Sequence, residues 1–191
     1  ALSSIRETSR KVVCSSNIRQ LGLSMAMYAD DYKGRLPYSA YYSKSLSTSS
    51  EQFEGPEKLM LARIGGNMNK WDGLGLLFGR QDCSAAQVYY CPSHKSIHRY
   101  DAYSDGWNGA PIDVLTNFQY RGGSANNVTN LNQMPDRISL ITDGLAMQTD
   151  FNHAVGGNVV ASDLSIGWFD KTAQTLDLPS SYADTSAKEK L

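Results

Sequence analysis

Apolar residues near the start of the chain fall on one side of a helix, and the stripe fades toward the N-terminus. Cys14, Ile18, Leu21, Met25, Tyr28 and Tyr32 recur at steps of +4, +3, +4, +3 and +4. That is the spacing of one face of an α-helix with 3.6 residues per turn. No Pro precedes Pro37, and Gly22 is the only Gly before Gly34. The pattern therefore predicts one helix over residues 1–32, stopped by Gly34. Three and four positions before Cys14 stand Lys11 and Arg10, and residues 1–12 (ALSSIRETSRKV) are polar on nearly every side. A helix without an apolar face does not pack on its own domain. Residues 1–12 are thus expected to protrude as a neck while the second half docks on a head. At 1.5 Å per residue the whole element is roughly 45 Å long.

After Pro37 the periodicity changes. Residues 38–55 are rich in Ser and Tyr and read as a long loop. Residues 56–64 (PEKLMLARI) read as a short helix opened by Pro56 and closed by Gly65-Gly66. Residues 71–78 form an apolar run suited to a short helix or turn against a sheet. Val88–Cys91 reads as a strand stopped by Pro92. Residues 101–135 read as loop around a short strand near Phe118-Gln119-Tyr120. Arg137–Thr142 is strand-like and meets the turn pair Asp143-Gly144. Residues 158–162 and 165–169 flank Asp163-Leu164 and read as a hairpin. Residues 171–191 lose the pattern and are expected to be a surface wrap or disordered tail. The expected division is a spine helix at 1–34, a globular head at 35–170 and the tail at 171–191. The expected class is α+β: one long N-terminal helix packed against a small antiparallel sheet with long loops.

Composition narrows the function. The chain has 191 residues, 41% apolar and 19% charged, with a formal net charge of −1. That fits a domain with a real core. It excludes a generic phosphate-binding surface, which needs an excess of Lys and Arg, so no nucleic-acid partner is expected. No run of about 18 apolar residues is present to span a bilayer. The chain starts at Ala1 rather than Met and reads as a fragment or processed product. Nucleophile elbow, phosphate loop and HExxH are all missing, so no enzyme is expected.

Four segments carry a resemblance to a known family. The first is Arg6-Glu7-Thr8-Ser9-Arg10-Lys11, then Cys14 to Leu23, Tyr28 to Tyr32 and Leu36-Pro37. The second is Gly73 to Leu77 followed by Tyr90-Cys91-Pro92-Ser93. The third is Ile141-Thr142-Asp143-Gly144. The fourth runs from Asn152-His153 to Val160, then Asp163 and Trp168, with nine residues between His153 and Asp163. These segments resemble bacterial type II secretion pseudopilins and type IV pilin-like proteins, and more narrowly the "H-X9-DG" group of prepilin-like proteins. One departure is Leu164, which stands where that group has Gly after the Asp. The resemblance implies a pilin-like fold and a structural subunit that polymerises through its helix. Its partners would be other pilin-like subunits and secretion machinery. It implies an inner-membrane anchor through an apolar segment missing from this chain, with the head on the periplasmic or cell-surface side. Without that segment the chain is expected to be monomeric.

Candidate chemistry remains open at several places. Asp143, Asp150 and Asp163, with Asn158 and Asp170, offer oxygens for a Ca²⁺ site of the kind some resembling pseudopilins hold. The alternative is that His153 and Asp163 hydrogen-bond the loop backbone and fix the hairpin. Cys83, Cys91, His94 and His98 form C-x7-C-x2-H-x3-H, whose last two spacings are zinc-like. A disulfide is the other use of Cys14, Cys83 and Cys91. Cys83–Cys91 would close a short hairpin, while Cys14–Cys91, at two positions where the family has cysteines, would tie spine to head. Free thiols are the third case. Tyr38, Tyr41, Tyr42, Tyr89, Tyr90, Tyr100, Tyr103 and Trp107 could build a carbohydrate platform, the alternative function, or simply pack.

Overall fold

A single helix, α1, runs from Leu2 to Asp31. The computed structural model describes residues 2–39, 59–122, 130–135, 137–145 and 148–172. Most of the loop expected at 38–55 and nearly all of the tail expected at 171–191 lie outside the described residues, as do Tyr41 and Tyr42.

The buried face of α1 is the stripe read from the sequence. Cys14, Ile18, Leu21 and Met25 are fully buried, and Tyr28 nearly so. Each such apolar side chain contributes about 1.5–3 kcal/mol by leaving water. Tyr32, the last of the series, lies just past the helix and stacks on Tyr28 with centroids 4.4 Å apart. At Gly22 a Cβ would sit 3.1 Å from Val160 Cγ1, so the missing side chain lets the helix lie close on the sheet. Gly34 ends the element. Its φ of 85° is left-handed, and its N–H donates to the Ala29 carbonyl at 2.6 Å. Arg80 pins the same end, donating to Asp31 at 2.6 Å and to the Tyr32 hydroxyl at 2.8 Å.

The N-terminal turns correct one expectation. Leu2, Ile5, Val12 and Val13 are exposed, yet Glu7 and Lys11 are half-buried. Glu7 accepts from the Ser93 hydroxyl at 3.0 Å, and the Lys11 ammonium lies 4.3 Å over the Trp168 ring. Glu7, Lys11, Cys14 and Ile18 follow +4, +3, +4, so the docking face continues toward the N-terminus with polar residues. Apolar periodicity alone does not detect such a face.

Among the described residues, two antiparallel sheets form the head. Strands β1 (Leu61–Ile64), β2 (Lys70–Trp71) and β3 (Val114–Leu115) pair in the order β2-β1-β3. Strands β4 (Phe118–Tyr120), β5 (Ser139–Asp143), β6 (Gly157–Ala161) and β7 (Ile166–Phe169) form a meander in chain order. Helix α1 packs on β5, β6 and a 3₁₀ turn at Ala86–Tyr89. Short helices α2 (Gly75–Gly79) and α3 (Tyr100–Trp107) close the core. The arrangement is α+β and pilin-like, a long N-terminal helix laid on antiparallel sheet.

Three local expectations fail for tertiary reasons. Residues 61–64 are strand, not helix, because both faces of β1 are buried between neighbours, and that burial overrides helix propensity. Val88 and Tyr89 belong to the 3₁₀ turn. Tyr90 is extended but unladdered, and the Cys91 N–H donates instead to Asn117 Oδ1 at 2.6 Å. Residues 100–107 are helical although rich in Asp, Ser and Gly. The burial of Trp107 against Tyr89 (centroids 4.8 Å) and Trp71 (5.5 Å) holds them.

In the β6–β7 turn, Leu164 adopts φ 62°, the left-handed conformation a Gly would take without strain. Asp163 Oδ1 accepts the Ser165 N–H at 2.9 Å and holds that turn. Leu164→Gly is therefore expected to raise stability by about 0.5–1 kcal/mol in urea unfolding. A loss of stability would show that the Leu side chain, not the backbone, sets this turn.

Candidate functional site

The four resembling segments meet at one buried point. Cys14 comes from the middle of α1 and Cys91 from the chain just after the 3₁₀ turn. Asp143 ends β5, and His153 precedes β6. One atom from each lies within 4.8 Å of the other three, and all four residues are buried. Cys14 Sγ donates to Asp143 Oδ1 at 3.0 Å. Cys91 Sγ lies 3.4 Å from His153 Nε2, which is 3.8 Å from Asp143 Oδ2.

Each group is held from behind. His153 Nδ1 lies 2.7 Å from Glu7 Oε1. A carboxylate only accepts, so Nδ1 carries a proton there and Nε2 faces the cluster. Asp143 Oδ2 accepts the Asn158 N–H at 2.6 Å, and its Oδ1 accepts from Asn152 Nδ2 at 2.9 Å. Cys91 is fixed through its backbone by Asn117.

The electrostatics follow from this crowding. Burial lowers the His153 pKa, but Cys91, Glu7 and Asp143 outweigh it and push the pKa up to about 9. Burial drives the Cys14 thiol strongly upward, and Cys91 and Asp143 add to that. Burial also raises Cys91, yet hydrogen bonds from Cys14 and His153 bring it below the usual thiol value. The result is a buried cluster of two sulfurs and an imidazole with two carboxyl groups against it. Such a group can be compensated internally or by a cation.

The oxygen set read from the sequence does not converge. Asp143 and Asn158 are together, but Asp150 lies buried beside His94, 4.0 Å from its Nε2. Asp163 sits in the exposed β6–β7 turn, and Asp170 is exposed and accepts from Trp168 Nε1 at 3.0 Å. Asn158 and Asp163 are separated by the rest of β6 and the start of its turn, five steps or up to about 16 Å of extended chain. That strand also keeps His153 and Asp163 apart despite their spacing in sequence. The C-x7-C-x2-H-x3-H set is likewise dispersed. The Cys83 carbonyl accepts from the Tyr89 hydroxyl at 2.9 Å, His94 pairs with Asn152 at 2.7 Å and His98 with Tyr103 at 2.8 Å. All three cysteines are free thiols in this structure. Among the described residues, Cys14, Cys91, Asp143 and His153 are the group placed to hold a metal. Tyr89, Tyr90 and Trp107 are buried against one another, which removes their rings from any sugar-binding surface.

The sequence brought Cys14 and Cys91 together only as one possible disulfide, and it did not show that Asp143 and His153 join them. Glu7 stood in a resembling segment with no role assigned to it. A signal was present: each of the four resembling segments supplies one member, and Glu7 stands seven residues before Cys14 on the same helix face.

No curated protein and no solved structure matches the chain. A family model described as "Protein of unknown function (DUF1559)" matches residues 3–149, which include Glu7, Cys14, Cys91 and Asp143. Because that match spans most of the chain, the protein belongs to the DUF1559 family, whose character is coarsely prepilin-like and pseudopilin-associated.

Proposed function

We propose that the protein is a pilin-like structural subunit of the prepilin "H-X9-DG" kind, in a type II secretion or type IV pilus-like assembly. It acts by polymerising through α1 and displays its head outside the inner membrane. Among the described residues no helix is long and apolar enough to cross a membrane. Anchoring in this proposal falls to an apolar segment upstream of Ala1.

One observation carries the reading. Leu2, Ile5, Val12, Val13, Leu23 and Met27 are exposed large apolar residues of α1. At 100° per residue they fall within an arc of about 100°, opposite the Glu7–Lys11–Cys14–Ile18 docking face. Ser9, Ser16, Gln20, Asp30 and Asp31 fall in the same arc, so the apolar face consists of a patch at residues 2–13 and a second at Leu23 and Met27. A helix bound to its head by one face and apolar on the other suits packing against the helices of neighbouring subunits. Exposed apolar stripes of this extent are uncommon on monomers.

The test places a photo-crosslinking residue at Ile5, Val12 or, as a buried control, Ile18 in the full-length protein expressed in its own cells. Ladders of crosslinked pilin-like subunits from Ile5 and Val12, and none from Ile18, are expected. Only monomer at both exposed positions, in folded protein, would overturn the proposal.

A further inference from the structure

We propose that Cys14, Cys91, Asp143 and His153 form a four-ligand zinc site that staples α1 to the head. The inference does not rest on the pilin reading. Two sulfurs, one imidazole nitrogen and one carboxylate oxygen make a set suited to zinc and unsuited to Ca²⁺ or Mg²⁺, which want oxygen. Tetrahedral zinc with ligands at about 2.0–2.3 Å puts neighbouring ligand atoms roughly 3.3–3.8 Å apart. The separations here are 3.0 Å for Cys14 Sγ–Asp143 Oδ1, 3.4 Å for Cys91 Sγ–His153 Nε2 and 3.8 Å for His153 Nε2–Asp143 Oδ2, and one ligand atom from each residue lies within 4.8 Å of the other three, so the ligands need to close in by only about 1 Å at the widest pair.

The surrounding shell is the one a metal site needs. A zinc-bound His usually gives its other N–H to a carboxylate, and His153 Nδ1 has Glu7 at 2.7 Å. Asp143 is oriented by the Asn158 N–H and the Asn152 amide. With four protein ligands in a buried place the site has no open position, which marks it as structural rather than catalytic. On binding, the Cys14 and Cys91 thiols and His153 Nε2 release their protons to solvent, and the zinc takes their place. A Cys14–Cys91 disulfide would use only the two sulfurs. It would leave His153 Nε2 with no thiol to bond and Asp143 with the Asn152 and Asn158 donors alone. The four ligands come from α1, the segment after the 3₁₀ turn, β5 and the loop before β6, so the ion would lock the helix to three parts of the head.

The 191-residue chain is purified under reducing conditions without chelator, and its zinc is counted by elemental analysis. One zinc per chain is expected in the wild type and in Cys83→Ser, and background zinc in Cys91→Ser. Because Cys91→Ser could misfold, the stripped wild type is also titrated with Co²⁺ alone. Intense tetrahedral visible bands with a thiolate-to-cobalt charge-transfer band are expected, bleached by added Zn²⁺. Stripping zinc should lower the melting temperature of the wild type and of Cys83→Ser alike. Zinc retained in Cys91→Ser, an octahedral cobalt spectrum, no cobalt uptake, or a native Cys14–Cys91 disulfide would each overturn the proposal.

Discussion

Asp143→Ala is expected to cost about 3–5 kcal/mol of folding stability, the scale of removing one partner from a buried charged cluster. Asp143 is 1% exposed and accepts from Cys14 Sγ, the Asn152 amide, the Asn158 N–H and the Asn158 amide. Alanine would leave all four donors buried with that acceptor gone, and would leave His153 with the Glu7 carboxylate but without that of Asp143. Each orphaned donor carries a desolvation penalty of about 1–3 kcal/mol, partly relieved by relaxation. Asp143→Asn should fall between, because its amide would set a donor against the Asn158 N–H or the Cys14 thiol. Urea unfolding followed by circular dichroism measures both. A loss below about 1 kcal/mol for the alanine variant would mean that the cluster does not hold the fold together.

Leu21→Ala is expected to cost about 2–5 kcal/mol, the range for emptying a fully buried Leu site. Leu21 is 0% exposed in the face of α1 that meets the head, whereas Leu23, two residues on, is 60% exposed. The matched control Leu23→Ala should change stability by no more than about 0.5 kcal/mol. The pair separates docking from helix propensity, since both positions lose the same side chain from the same helix. Equal effects would show that α1 is not seated by the face described.

What was legible in the sequence follows the reach of each signal. The buried half of α1 was readable because Cys14 to Tyr28 keep helical spacing with apolar side chains, and Gly34 marks the stop. Strand β5 and the β6–β7 hairpin were readable because apolar runs flank turn residues. Strand β1 was not, because LMLAR favours helix locally and only pairing on both sides makes it strand. The α3 helix was hidden for the opposite reason. Its residues are poor helix formers, and the buried Trp107 ring holds it in place. At the site, the sequence marked individual residues but could not bring Cys14 to Asp143, 129 residues away. Spacing rules for metal ligands work when ligands sit on one hairpin or helix, and here they come from four separate segments. The nine-residue interval between His153 and Asp163 has a structural reading in this chain. It spans the approach to β6 and the strand itself, so it sets hairpin length rather than bringing the two side chains together.

The central claim is that α1 docks on the head by the face of Cys14 and Ile18, firmly in its second half and only through Glu7 and Lys11 before that, and that its opposite apolar face is proposed to meet neighbours. Residue-resolved amide hydrogen exchange on the 191-residue chain measures this directly. Amides from about residue 14 onward should exchange only through near-global opening, while those of residues 2–6 should exchange by local fraying orders of magnitude faster. The boundary should lie between Glu7 and Cys14, where the polar contacts to Ser93, His153 and Trp168 take hold. Uniformly slow exchange from Leu2 to Asp31 would contradict the account, because the first turns would then be held by the head as firmly as the part docked from Cys14 onward.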